Sequence, residues 1–298
     1  MKFLYVLSLF AFFTITGCEA KRESGVQGIK SAINIQEFKE IVESSDEIKQ
    51  KKLFQKIQEY AENKDANAQN LLGVVYENGF LGQHEDIKKA IHWYKKSADN
   101  GSGIAENNIA NLYYRGQGVE KNDELAYKFY KKSMGKNTPE AINSIGLMYF
   151  NGTFVVADKK QACDYFKKSA DLGYYLGESN VANCYLNGWN GSINKNKYFE
   201  YSLKAAKSNY SPSQFNVAVM YAKGEVVDKS ISKSIYWYEK ALQQNDPRAA
   251  YNLASLYEDG NDVEKDIWKA YRYYELAYEM GLGIAKDKMD ELKNKIER

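Results

Sequence analysis

The chain has little of what most site chemistry is built from. Its 298 residues include 2 histidines, His84 and His92, and 3 cysteines. Two histidines nearly exclude a histidine-rich metal centre, and three cysteines are too few for a disulfide scaffold. The sequence has no glycine-rich phosphate loop with its lysine, no His-Glu-x-x-His pair and no nucleophile elbow. No catalytic residue, metal or cofactor is therefore expected. An excess of charge of one sign is also missing: 41 basic against 39 acidic residues leave a net charge of +2. That gives no electrostatic footprint for nucleic acid or an acidic lipid surface. Mean hydropathy is -0.60, which argues against a polytopic membrane protein. There are only 3 prolines, while 44% of residues are hydrophobic, 27% are charged, and there are 25 tyrosines and 21 glycines. A chain of this length and composition should fold around a large core.

One long apolar run stands at the start. Lys2 gives a short basic beginning, and Phe3 to Ile15 is too short for an ordinary transmembrane helix. It ends in Ile15-Thr16-Gly17-Cys18, which resembles a bacterial lipobox. The resemblance implies removal of residues 1–17 and lipidation of Cys18, with acyl chains holding the protein at a membrane. The alternative is an ordinary signal peptide followed by a chance cysteine. Glu19 stands where aspartate would resemble an inner-membrane retention signal, so the expected address is the periplasmic face of the outer membrane in a Gram-negative host. Residues 18–30 read as a lipidated N-terminus and tether.

The remainder repeats. Tyr76, Tyr113, Tyr149, Tyr185, Tyr221 and Tyr257 recur at intervals of 37, 36, 36, 36 and 36 residues, each followed three positions later by glycine (Gly79, Gly116, Gly152, Gly188, Gly224, Gly260). Four residues before each tyrosine is an aliphatic residue, and three before is Gly or Ala, which is helical spacing with room for a close neighbour. A second periodic segment follows, carrying Trp93-Tyr94, Phe129-Tyr130, Tyr165-Phe166, Tyr201-Ser202, Trp237-Tyr238 and Tyr273-Tyr274 in one register. The unit is thus helix A, a glycine turn, helix B, and a second turn near Gly101, Gly173 or Gly281. Thr138-Pro139, Ser211-Pro212 and Asp246-Pro247 read as a capping residue before a proline that opens helix A. No window alternates like a strand, so the expected fold is all-α.

Leu72-Gly73-Val74-Val75-Tyr76-Glu77-Asn78-Gly79 followed by Lys89-Ala90-Ile91-His92-Trp93-Tyr94-Lys95-Lys96-Ser97 resembles the Sel-one-like repeat (SLR), a relative of the tetratricopeptide repeat. The resemblance implies a right-handed α-solenoid of antiparallel helix pairs, with six repeats over residues 65–281. Residues 31–64 read as a degenerate capping helix pair and 284–298 as a C-terminal capping helix. The fourth copy departs most: Tyr198 replaces the helix B alanine, and local distortion is expected there.

Related solenoids present helix A on the concave side, so candidate partner contacts lie on that helix. Five residues before the marker tyrosine, Asn108, Asn180, Asn216 and Asn252 form an amide column that either binds a peptide backbone or ties neighbouring repeats together. Asn111, Leu147 and Asn183 two before it, and Tyr114 and Phe150 one after it, form a mixed apolar and aromatic surface with acidic residues, Glu77 and Glu258, at its ends. Such a surface suits a protein partner, although packing against adjacent helices accounts for it equally well. Cys163 and Cys184 lie at similar distances from the turn near Tyr174. An oxidising compartment permits a bridge between them, while the corresponding residues of other repeats make them plain apolar fillers.

The leading expectation is a lipid-anchored, periplasm-facing protein-binding solenoid, with an immunity protein against a delivered effector as one specific form. The rivals are a scaffold or regulator of a membrane or peptidoglycan complex, and an enzyme or receptor for β-lactams or cell-wall fragments. The last is implied by cysteine-rich SLR proteins, whose disulfide in nearly every repeat is missing here.

Overall fold

The computed structural model describes residues 33–297. The apolar leader (1–17), Cys18 and the tether to residue 30 lie outside the described residues. Every regular element described is a helix. Up to Gly173 the chain forms one compact unit, and from Tyr174 a second. The first holds α1 (Ile35–Glu43), α2 (Glu47–Glu62), α3 (Ala66–Asn78), α4 (Ile87–Asp99), α5 (Gly103–Arg115), α6 (Asp123–Gly135), α7 (Pro139–Asn151) and α8 (Lys159–Asp171). The second holds α9 (Tyr175–Asn187), α10 (Lys195–Lys207), α11 (Ser211–Lys223), α12 (Ile231–Leu242), α13 (Pro247–Asp259), α14 (Ile267–Glu279) and α15 (Ala285–Ile296). Within each unit consecutive helices pack together, most extensively helix A with helix B of the same repeat.

The helices start and stop where local chemistry requires. Asp65, Asp86, Ser102, Asn122, Asp158, Asn194 and Asp266 each accept a hydrogen bond from a backbone N–H of the first turn, which satisfies a donor the helix cannot. Every helix A closes on a glycine in the left-handed region, as at Gly79 (φ 65°), where any Cβ is unfavourable. The second turn has the same backbone requirement, met differently. Gly101, Gly173 and Gly281 meet it in three turns and Asn137 (φ 57°), Asn209 (φ 61°) and Asn245 (φ 61°) in the other three, asparagine being the side chain that best tolerates this conformation. The expected proline caps need correction at two of three sites. Thr138 makes no side-chain capping bond, and Tyr210 rather than Ser211 occupies the cap of α11. Only Asp246 caps as expected, accepting from the Arg248 N–H at 3.1 Å.

Packing explains the small residue of helix A. A Cβ added to Gly73 would lie 2.4 Å from Cε1 of Tyr94, and one on Gly146 would lie 2.7 Å from the Phe166 ring. The second aromatic of helix B therefore sits directly on the helix A backbone. In the first unit a serine three residues later reinforces this contact. Ser97, Ser133 and Ser169 hydroxyls donate to the carbonyls of Ala66, Gly103 and Pro139 at 2.6, 2.7 and 2.7 Å. In the second unit the corresponding residues are Ala205, Ala241 and Ala277, all fully buried.

The fourth repeat is not distorted in its helices, since α9 and α10 each keep the usual 13 residues. Its deviations offset one another. Where four of the other repeats place alanine, and the fifth repeat Ser234, before an aromatic four residues on, α10 places Tyr198 and then Ser202. Ser202 is 1% exposed, and the Tyr198 ring packs on Ala206, Val217 and Met220. Bulk has moved one helical turn along the same face.

At the ends, Phe38 on α1 and Leu53, Ile57 and Ala61 on α2 share a core with Leu72 and Val75. On α15, Ala285 and Leu292 pack with Tyr274 and Ala277.

Candidate partner-binding surface

Two of the four amides in the predicted column make internal bonds. Asn108 is half-buried and its Nδ2 donates to Asn70 Oδ1 at 3.0 Å, joining α5 to α3. Asn252 Nδ2 donates to the Tyr238 hydroxyl at 2.9 Å, joining α13 to α12. Asn111 accepts from the Tyr130 hydroxyl at 2.7 Å. Asn180 and Asn216 are half-buried, and Asn183 is exposed. The expected acidic ends are likewise turned inward. Glu77 accepts from the Tyr94 hydroxyl at 2.5 Å, and burial raises its pKa above the usual carboxylate value. Glu258 accepts from the Tyr274 hydroxyl at 2.8 Å and pairs with Lys288.

Among the predicted contact residues of helix A, apolar and aromatic side chains stay accessible beside the exposed Asn183. In the first unit Leu147 is 37% exposed. Phe150 lies 6.5 Å from the Phe166 ring with Lys159 Nζ 5.5 Å above it. Tyr114 lies 6.5 Å from Tyr130 with Lys121 Nζ at 5.8 Å. In the second unit Leu186 is 39% exposed, and Asn183 stands one turn before it. These faces combine rigid apolar contact area with neighbouring cations.

A second column escaped sequence reasoning because its partners stand thirty residues apart. The first turn of helix A offers one side chain to the residue that follows helix B. Asn100 Nδ2 donates to Gln69 Oε1 at 2.8 Å, Gln244 Nε2 to Gln214 Oε1 at 2.6 Å, and Lys136 Nζ lies 3.0 Å from Glu106 Oε1. The remaining register pairs are Ile142 with Leu172, Ala250 with Met280, and Glu178 with Ser208. Only the last is chemically unmatched. Glu178 is 8% exposed, and its Oε2 has no hydrogen-bond partner among the described residues.

Burial pushes the Glu178 carboxyl up to about 7, against the pull of Lys204. The folded protein then holds a proton between about pH 4.5 and 7 that the unfolded chain has released, so stability falls as pH rises through that window. Glu178→Gln is expected to flatten this slope in urea unfolding, and Ser208→Lys to do so by supplying the missing cation. A slope unchanged in Glu178→Gln would contradict the assignment.

Cys163 and Cys184 are both buried and both in the disulfide form. Neither should react with an alkylating reagent in the unfolded, unreduced protein, and both should react after reduction. Labelling without reductant, read by mass spectrometry, would contradict the oxidised form. Among the described residues no helix is long and apolar enough to cross a membrane.

Fold and surface together define a helix-pair repeat protein with accessible apolar residues on its A helices. The chain belongs to the Sel1 repeat family, whose model matches residues 66–102, 103–133, 139–174, 174–210, 211–246 and 247–282. It is similar in structure to a protective antigen present in uropathogenic Escherichia coli strains that displays an SLR fold, with a TM-score of 0.71 and 24% identity. That match covers 88% of this chain and 60% of the antigen. A Sel1 repeat protein from Oxalobacter formigenes matches with a TM-score of 0.67 and 27% identity, over 72% of this chain and 88% of that one. A sel1-like repeat-containing protein of Acanthamoeba polyphaga mimivirus is 38% identical over 66 residues, 22% of this chain and 12% of that protein. The chain thus spans 60% of the antigen's length and 12% of the viral relative's. An immunity protein of Pseudomonas aeruginosa matches at 18% identity over 77% of this chain and 82% of that one. Its TM-score of 0.48 is too low a likeness to carry function across.

Proposed function

We propose that this protein works by binding another protein through its helix A faces, while a lipid on Cys18 holds it at the periplasmic side of a bacterial membrane. The observation that carries the binding is the accessible apolar set on helix A, with Leu147 at 37% and Leu186 at 39% exposure. Apolar and aromatic anchors on a rigid repeat scaffold are what a protein interface draws on. Affinity would come from contacts along several repeats and would need no cofactor. The test is affinity capture from membranes with the intact chain and with Leu147→Asp or Leu186→Asp. One stoichiometric partner lost on either substitution supports the reading, and capture that ignores both contradicts it. A Cys18→Ser chain that remains membrane-bound would contradict the anchor. Neutralising a delivered toxin is the finer form of this proposal, tested by whether co-expression with a toxin encoded beside it restores growth.

A further inference from the structure

Two repeats place a glutamate at the same point of helix A and differ in what faces it. In α5, Glu106 is 7% exposed, its Oε2 is enclosed without a partner, and Lys136 Nζ meets its Oε1 at 3.0 Å. In α9, Glu178 is 8% exposed and its Oε2 is likewise enclosed without a partner. The residue in the place of Lys136 is Ser208, exposed and uncharged. Among the described residues no side chain donates a hydrogen bond to Glu178 or forms an ion pair with it.

Two cations stand in the last turn of α10, Lys204 and Lys207. Lys204 pulls against the burial of the Glu178 carboxyl from a distance. Its Nζ is already engaged, donating to Glu200 at 3.1 Å and lying 4.5 Å over the Tyr201 ring. Lys207 makes no pair with Glu178. The fold thus holds a carboxyl away from water and leaves its partner's place empty. A carboxylate so desolvated attracts an arriving cation more strongly than one in water.

We propose that Glu178 is a subsite for a lysine side chain of the protein partner, which takes the place that Lys136 fills beside Glu106. This rests on the helix A reading of function and adds a point of charge to it. The geometry selects lysine over arginine. With Oε2 enclosed, a single oxygen is offered, which a compact ammonium satisfies, whereas the guanidinium fork is matched to both oxygens at once. The bound ammonium also favours the charged carboxylate, so binding displaces the proton that burial retains.

The test follows the Glu178 carboxyl carbon by NMR in the full chain, labelled at glutamate and assigned by the loss of its signal in Glu178→Gln. The probe is the peptide acetyl-Gly-Lys-Gly-amide, added at constant ionic strength. It should move the Glu178 titration midpoint down by about one pH unit at saturation, a tenfold preference for the charged form. The same peptide acetylated on its lysine, and the arginine counterpart, should leave the midpoint in place. In Ser208→Lys the midpoint should already be low, and the lysine peptide should move it no further. A native midpoint unmoved by the lysine peptide, as when Lys204 or Lys207 swings across to fill the place, overturns the proposal. So does an equal shift from the acetylated or arginine peptide, or an undiminished shift in Ser208→Lys. No partner protein enters this measurement, so its failure leaves binding through Leu147 and Leu186 standing, and failure of that capture leaves the peptide result standing.

Discussion

Replacing Tyr94 by alanine is expected to lower stability by about 3–5 kcal/mol, the range for deleting a buried aromatic. Tyr94 is 0% exposed. Its ring fills the hollow left by Gly73, and its hydroxyl donates to Glu77. Alanine both opens a cavity and leaves a buried carboxylate without its donor. Tyr94→Phe keeps the ring and should cost about 1–3 kcal/mol, the penalty for an orphaned buried acceptor. The urea midpoint, with circular dichroism as probe, separates the two. A loss under about 1 kcal/mol for Tyr94→Ala would mean that the second aromatic of helix B does not hold the pair together.

The second large effect is a coupling in the fourth repeat. Tyr198→Ala removes the ring that packs on Ala206, Val217 and Met220 and should cost about 2–4 kcal/mol. Ser202→Tyr alone forces a second ring into a site that is 1% exposed and should cost about 1–3 kcal/mol. The double variant restores the small-residue and aromatic order of the other repeats, so its stability should lie near that of the native chain. The resulting interaction energy would be at least about 2 kcal/mol, within the span seen for residues in contact. Additive losses would show that the two positions do not share one space.

The repeat architecture was legible because its determinants are side chains that recur at one spacing. The Gly79 column is glycine in every copy and the pairs are aromatic at both positions in five of six, so a period of 36 exposes them. The second turn was only half legible: glycine at 101, 173 and 281 and asparagine at 137, 209 and 245 meet one backbone requirement with two residue types. The Glu106 to Lys136 column was missed because what is kept there is complementarity across thirty residues, which no single-position pattern displays. For the candidate surface, the sequence placed Asn108 and Leu147 on the same helix class without deciding their roles. An amide is equally suited to a ligand and to a neighbouring helix. Only the 3.0 Å bond from Asn108 to Asn70 distinguishes the two. The swap at Tyr198 and Ser202 was visible as a deviation, but the volume that makes it harmless exists only in three dimensions.

The helix A faces are tested most directly by placing a photoreactive residue at Leu147 or Leu186 and, as comparison, at Lys131 on helix B of the second repeat, which is exposed. After irradiation in intact cells, binding through helix A predicts one discrete cross-linked protein from position 147 or 186 and none from 131. Equal cross-linking from all three positions, or from 131 alone, would contradict it.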